Sequence, residues 1–189
     1  EFVMSDIKVE TEKKEVPLQK SYFQKWAGQT KCTAETPKAS YILISFIGGF
    51  LGILAVAYIC VEVQLFALFA PLGASAVLVY GAPVAPFSQP RNLIGGHMLS
   101  AFVGVIVFNV LGFNYYSVAL AVGLAIAVML GTRTVHPPAG ATALLGVVSS
   151  NGNFLWPIVP VAAGALVILL VGLVVNNLDK SRSYPVYWF

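Results

Sequence analysis

The sequence has almost no charge between residues 39 and 178. Of its 19 Lys, Arg, Asp and Glu residues, 13 lie before residue 39 and three lie after residue 178. Only Glu62, Arg91 and Arg133 interrupt the region between. Water-soluble domains carry charge on the outer faces of their surface helices, so this scarcity excludes a water-soluble fold. A bilayer-spanning helix needs about 20 apolar residues, and the charge-free runs hold more than four such lengths. The sequence therefore predicts an all-α polytopic membrane protein.

Cysteine is also scarce, and several site types are missing. Cys32 and Cys60 are too few for a disulfide framework. The chain has no basic groove interleaved with aromatic residues, so nucleic acid is not an expected partner. The apolar region has no nucleophile–base–carboxylate set and no metal-binding spacing. We therefore expect no enzyme activity, no metal and no cofactor.

Charge divides the chain into three parts. Residues 1–38 form a polar tail, and residues 1–3 (EFV, before Met4) are interpreted as a cloning remnant. Within this tail, the apolar residues Leu18, Tyr22 and Trp26 lie four residues apart, which favours a short interfacial helix. A disordered tail is an equal alternative. Residues 39–178 form the transmembrane domain, and residues 179–189 form a C-terminal tail.

A short motif occurs twice in the apolar region. Residues 71–78 read PLGASAVL and residues 138–145 read PAGATALL, at a spacing of 67 residues. Both copies follow the pattern Pro-x-Gly-Ala-(Ser/Thr)-Ala-apolar-Leu. Matched, interrupted hydrophobic segments in the two halves of a membrane protein are the best sequence indication of a transporter's binding site.

The two halves share one order of segments. Repeat 1 (residues 39–112) and repeat 2 (residues 113–178) each run long helix, short Pro-initiated half-helix, long helix, which gives about six membrane segments. The long segments are expected at 39–61, 92–112, 115–132 and 157–178, and the short ones at 71–81 and 138–150. Because each half has three crossings, the second repeat should be inverted relative to the first. Four spans with two re-entrant loops is the alternative.

Charge placement favours the six-segment arrangement. With a cytoplasmic N-terminus, this arrangement places Arg91, Arg133 and residues 179–182 in the cytoplasm and Glu62 outside, as the positive-inside rule requires. The four-span alternative places both arginines outside. We expect an integral protein of the cell (inner or plasma) membrane. We also expect a homo-oligomer, because many Gly and Ala faces suit self-packing.

The repeated motif has the chemistry of an anion site. Proline suits the first helical position, and small residues in the first turn leave backbone N–H groups and the positive end of the helix dipole accessible to a ligand. Ser75 and Thr142 each add a hydroxyl donor one turn later. The predicted substrate-binding residues are Gly73, Ala74, Ser75, Arg133, His136, Pro138, Gly140, Ala141 and Thr142. Close helix packing by the same small residues is the alternative explanation.

Residues 136–143 (HPPAGATA) resemble the signature of the HPP family of integral membrane proteins. Residues 71–76 and the stretch from Gln89 to His97 are similar to other segments of that family, and the resemblance covers residues 39–178. Members of the family are associated with nitrite transport. The resemblance therefore implies passage of a small monovalent anion, nitrite above all, between the N-termini of the two half-helices.

Four polar residues near the motifs have alternative roles. His136 could bind substrate, carry a proton or cap the following helix. Arg133 could attract anions or anchor a helix end, and interface anchoring is the favoured role of Arg91. His97 lies within a span, where an ionisable residue indicates a functional site, but a neutral buried histidine is an equal alternative.

Three functions besides a carrier are consistent with these residues. The first is an anion channel with the same two-helix constriction. The second is a membrane-embedded enzyme that uses His97, His136 and Glu62 as acid–base groups or metal ligands. The third is a scaffold or sensor that moves no ion.

Overall fold

The computed structural model describes residues 36–62 and 64–189. The interfacial helix expected around Trp26 and the remnant at residues 1–3 lie outside these described residues. Six α-helices make up the described region, together with short 3-10 and π-helical turns. The α-helices are α1 (Ala39–Glu62), α2 (Phe69–Gly81), α3 (Pro90–Leu111), α4 (Tyr115–Thr132), α5 (Ala139–Val148) and α6 (Ala163–Leu178). The prediction of an all-α protein is confirmed.

Four helical stretches are long and apolar enough to cross a bilayer. They are Ala39–Glu62, Pro90–Leu111, Tyr115–Thr132 and Pro157–Asn176, and Phe66–Gly81 and Ala139–Val148 are shorter apolar stretches. The bounds agree with the sequence prediction within two residues except at Pro71. A 3-10 turn at Phe66–Leu68 runs directly into α2 at Phe69, so Pro71 lies in the first turn of the helix and does not begin it.

The last helix changes its winding where proline interrupts it. Residues Pro157–Ala162 form a π-helical stretch that leads into α6. Pro160 has no N–H to donate to the carbonyl of Trp156, which instead accepts from Val161 N, five residues on, at 3.4 Å. The whole stretch is thus long enough to span, although only its second part is regular α-helix.

Hydrogen bonds between helix ends show that the helices alternate in direction. At one end of the bundle, Tyr41 in α1 donates to the carbonyl of Gly81 at the end of α2 (3.1 Å), and Arg91 in α3 donates to the carbonyl of Thr132 at the end of α4 (2.8 Å). At the other end, Asn109 late in α3 donates to the carbonyl of Gly152 after α5 (3.0 Å). We name the first of these ends the arginine end.

The residues after α6 pack back onto the arginine end. Arg182 is buried there, where its guanidinium lies 3.6 Å from the centre of the Tyr41 ring. It donates to four acceptors, namely Tyr80 O, Asn176 Oδ1, Tyr41 O and Ser45 Oγ. Hydrogen bonds from the backbone and side chain of Ser181 lower the pKa of Asp179, which begins this segment.

Apolar side chains fill the bundle and also cover its outside. The largest completely buried apolar side chains in the described region are Tyr80, Leu72, Leu93 and Ile168. The outer face of α1 exposes large apolar residues such as Phe46, Phe50 and Leu54. An apolar exterior of this kind suits hydrocarbon as solvent.

Two glycines set the distance between α3 and α5. A Cβ added at Gly146 would lie 2.9 Å from both Ala101 O and the Cα of Gly104, and one added at Gly104 would meet the backbone at Ala143. These helices therefore approach so closely that their backbones touch, as small residues allow in membrane proteins.

We expect Gly104→Ala to destabilise the protein by about 1–3 kcal/mol, because the added methyl group overpacks this crossing. Gly123→Ala in α4 is the matched control, since a Cβ there meets nothing within 4 Å. That change should be neutral or stabilising, because alanine favours helix over glycine by about 1 kcal/mol. Thermal unfolding in detergent measures both, and equal effects would contradict the close crossing.

We expect Arg182→Lys to destabilise the protein by about 1–3 kcal/mol, because one ammonium group cannot serve all four acceptors or stack flat on the Tyr41 ring. Lys180→Ala is the control, since Lys180 is exposed. The unfolding midpoint in detergent tests the pair. An unchanged midpoint for Arg182→Lys would show that the segment after α6 adds nothing to stability.

Candidate functional site

The two copies of the repeated motif have the same pattern of burial. In each copy the Pro, the residue after it, the hydroxyl residue and the following Ala are buried. The first Ala of the motif (Ala74 or Ala141) is exposed, and the Gly before it (Gly73 or Gly140) is half-buried. The two segments therefore turn the hydroxyls of Ser75 and Thr142 inward and their small residues outward.

Ser75 is the centre of a buried polar cluster. Its Oγ lies 2.7 Å from Nε2 of His97, 2.8 Å from Nε2 of His136 and 2.9 Å from the carbonyl oxygen of Pro71. Both imidazoles and the hydroxyl are completely inaccessible to solvent. The two rings lie edge to face, with their centres 4.8 Å apart.

The outer nitrogens of the two rings also have partners. Nδ1 of His97 lies 2.7 Å from Oγ1 of Thr142, and Nδ1 of His136 lies 2.7 Å from the carbonyl oxygen of Phe87. We call the side chains of Ser75, His97, His136 and Thr142 the Ser75 network. Through His97, the hydroxyl residues of both motif copies belong to one site.

A glycine in α3 lets the segment that carries His136 pack close to that helix. The segment between α4 and α5 carries His136 against α3 at Gly96, where an added Cβ would lie 2.7 Å from the Cβ of His136 and 2.8 Å from Thr134 O. Asn92 holds the same segment by donating to the carbonyl of Val135 at 2.9 Å. Because His97 lies seven residues into α3, the network lies about 10 Å from the arginine end.

The backbone amides at the start of α5 are already paired. The N–H groups of Ala139, Gly140 and Ala141 donate to the carbonyls of His136, Pro137 and Pro138 at 2.9–3.1 Å. In α2 Pro71 and Leu72 lie in the first turn, and the motif residues from Gly73 onward lie beyond it, within the helix. The accessible backbone N–H groups that were expected in the first turn of each half-helix are therefore not found in either copy. Side chains supply the polar groups of this site.

An open cavity of about 440 Å³ lies at the arginine end. Arg91, Thr132 and Thr134 line it, and Trp188 and Phe189 border it. Nε of Arg91 is buried and has no hydrogen-bond partner, although Nη2 binds the carbonyl of Thr132. Because Nε is buried it does not face the cavity, and it is the positive charge of the guanidinium at the cavity wall that is suited to an anion.

The predicted site residues fall into two groups. The structure brings Ser75, His136 and Thr142 together, and Pro138, two residues after His136, is also buried. Gly73, Ala74, Gly140 and Ala141 lie on outward faces, and a Cβ at either glycine would meet nothing within 4 Å. Arg133 is exposed at the end of α4 with φ of 58°; among the described cavities, none is lined by it.

His97 and Arg91 were not among the predicted binding residues. His97 joins the two halves of the network, and its place within an apolar span was the signal that could have identified it. From the sequence, interface anchoring was the favoured role of Arg91, but Arg91 and not Arg133 lines a described cavity. Glu62, the third member of the enzyme alternative, ends α1 at the end opposite the arginine end and is exposed, so it does not join the two imidazoles.

We expect Ser75→Ala to destabilise the protein more than Thr142→Val, because Ser75 contacts two imidazoles and the Pro71 carbonyl, whereas Thr142 contacts one imidazole. Each buried polar group left unpaired costs about 1–3 kcal/mol. The two changes should therefore differ by at least about 1 kcal/mol in thermal unfolding. Equal costs would contradict the central place of Ser75.

Comparison with known proteins finds one family model that matches most of the chain and two similar proteins. The model of the HPP transmembrane region matches residues 34–185. Two proteins of Dictyostelium discoideum, both described as transmembrane proteins, are 42% identical to this chain in alignments of 179 and 180 positions, each of which covers 89% of this chain. The aligned part is 57% and 63% of those relatives, so the chain spans less than two thirds of their length. No solved structure matches the chain.

Proposed function

This chain belongs to the HPP family of transmembrane proteins, and we propose that it carries a small monovalent anion, namely nitrite, across the membrane. The observation that carries this proposal is that hydroxyls from both motif copies meet the same imidazole, that of His97. Ionisable groups buried among spanning helices are rare and mark ion pathways. The choice of nitrite rests on the family resemblance of residues 136–143.

The proposed architecture is six membrane segments in two inverted repeats. The alternating helix directions support it, because re-entrant short segments would leave and return on the same side. We propose that the arginine end is cytoplasmic, which the positive-inside rule supports through Arg91, Arg133 and Arg182. The membrane is then the cell membrane, with the N-terminus inside.

In this proposal an anion reaches the site from the arginine end. Arg91 and the hydroxyls of Thr132 and Thr134 attract it into the 440 Å³ cavity, and it then passes to the Ser75 network. Complete burial of that network supports a carrier, whose site is shut in one state, over an open channel. The outward-facing Gly73–Ala74 and Gly140–Ala141 surfaces support a homo-oligomer, because small residues let helices pack closely.

We expect Arg91→Gln to slow nitrite uptake into proteoliposomes by about tenfold or more, because a charge-assisted hydrogen bond is worth about 1.5–3 kcal/mol. Arg133→Gln is the matched control, and its effect should be smaller, since an exposed charge is screened by salt. Arg91→Lys keeps the charge and should restore part of the uptake.

Protein-free vesicles measure the passive leak of nitrous acid in this assay. Thermal unfolding of each variant separates lost uptake from lost folding. Uptake by the unmodified protein no faster than the leak would contradict the transport proposal. A larger effect of Arg133→Gln than of Arg91→Gln would contradict the proposed route.

A further inference from the structure

We propose that one proton binds to Nε2 of His136 together with the transported anion, so that the protein is a proton–anion symporter. This inference rests on the proposed function and names its coupling ion.

The carbonyl of Phe87 fixes the state of one ring nitrogen. A carbonyl oxygen only accepts hydrogen bonds, and it lies 2.7 Å from Nδ1 of His136. Nδ1 of His136 therefore carries a hydrogen. In a neutral imidazole the other nitrogen, Nε2, then has none and acts as an acceptor.

The neutral network lacks one hydrogen. Ser75 has a single hydroxyl hydrogen, and two acceptors lie around it, the carbonyl of Pro71 at 2.9 Å and the bare Nε2 of His136 at 2.8 Å. One of these two contacts therefore places two lone pairs against each other. The carbonyl of Pro71 keeps its backbone partner within α2, so the cost is the repulsion between two lone pairs held 2.8–2.9 Å apart where water cannot separate them.

A single added proton satisfies every contact. With a proton on Nε2, His136 donates to both Phe87 O and Ser75 Oγ, and Ser75 donates to Pro71 O. His97 needs no further hydrogen, because Thr142 donates to its Nδ1 and its own Nε2–H donates to Ser75. The geometry thus assigns the added proton to His136 and leaves His97 neutral.

The added charge has no side-chain partner. The elements packed on the two rings are α2, α3, α5 and the segments at 82–89 and 133–138. In these elements the remaining ionisable groups are Tyr80, which donates to the carbonyl of Ile168, and two cations, Arg91 and Arg133. They include no carboxylate. A buried positive charge without a counter-charge is unfavourable.

An anion that enters from the arginine cavity supplies this missing charge. The proton and the anion then stabilise each other, and linkage requires that each raises the affinity for the other by the same factor. The proton comes from water at the arginine end and leaves with the anion on the other side. The pair crosses as a neutral unit, so net transport moves no charge.

Nitrogen-15 NMR of histidine-labelled protein tests the proton directly. The sequence has two histidines, so the spectrum reports only this pair. At a pH of about 6, saturating nitrite should convert His136 from the neutral Nδ1–H form to imidazolium, while His97 stays neutral. A His136 that stays neutral with nitrite bound, or a proton gained by His97 instead, would overturn the proposal.

Coupled flux gives the second test. Proteoliposomes that contain a pH dye, with the membrane potential held at zero by potassium and valinomycin, should take up one proton with each nitrite above the leak of protein-free vesicles. His136→Gln should abolish the coupled proton, because an amide cannot take it. His97→Gln should slow uptake and keep the proton-to-nitrite ratio.

The outcomes separate the two proposals. Nitrite uptake that is driven by membrane potential and carries no proton would overturn symport and leave anion transport intact. No nitrite uptake by the unmodified protein would overturn both. If His136→Gln fails to fold in detergent, the NMR measurement on the unmodified protein decides.

Discussion

The hydroxyl of Ser75 is the contact on which the rest of this membrane domain depends. Inside an apolar bundle, polar groups must find partners in the protein, because water is absent. Ser75 binds the imidazoles of His97 and His136 at 2.7 and 2.8 Å and thereby ties α2 to α3 and to the segment before α5. His97 extends the tie to Thr142 in α5. The hydrogen bonds among these four side chains determine how the helices that carry the two motif copies pack together.

The contacts at the arginine end also follow from the need of buried polar groups for partners within the protein. Helix carbonyls that end there need donors, and Arg91, Tyr41 and Arg182 provide them. The segment after α6 also reaches across this end, where Tyr184 donates to Ser88 O at 2.8 Å and the backbone of Val186 donates to Gln89 at 2.8 Å. The polar contacts at the arginine end therefore come from several helices and from the segment after α6.

Composition alone predicted much of the fold. The charge-free runs located all four long helices within two residues, and the repeated motif located both short ones. Only the start of α2 differed, because Pro71 tolerates the first turn as readily as the first position. The motif also identified Ser75 and Thr142, whose hydroxyls do reach one site. Their meeting through His97 could not be predicted, since it depends on the approach of α3 at Gly96. The position of Arg91 at the cavity wall also depends on how the helices pack, so no sequence pattern indicated it.

The central claim is that Ser75 and Thr142 contribute to one anion site. Calorimetric titration of purified protein with nitrite in detergent tests it most directly, on the unmodified chain and on the Ser75→Ala, Thr142→Val double variant, each checked for folding. We expect one nitrite per chain and a dissociation constant at least about tenfold higher for the double variant, since each lost hydrogen bond to a charged ligand is worth about 1.5–3 kcal/mol. Equal affinity in a folded double variant would contradict it.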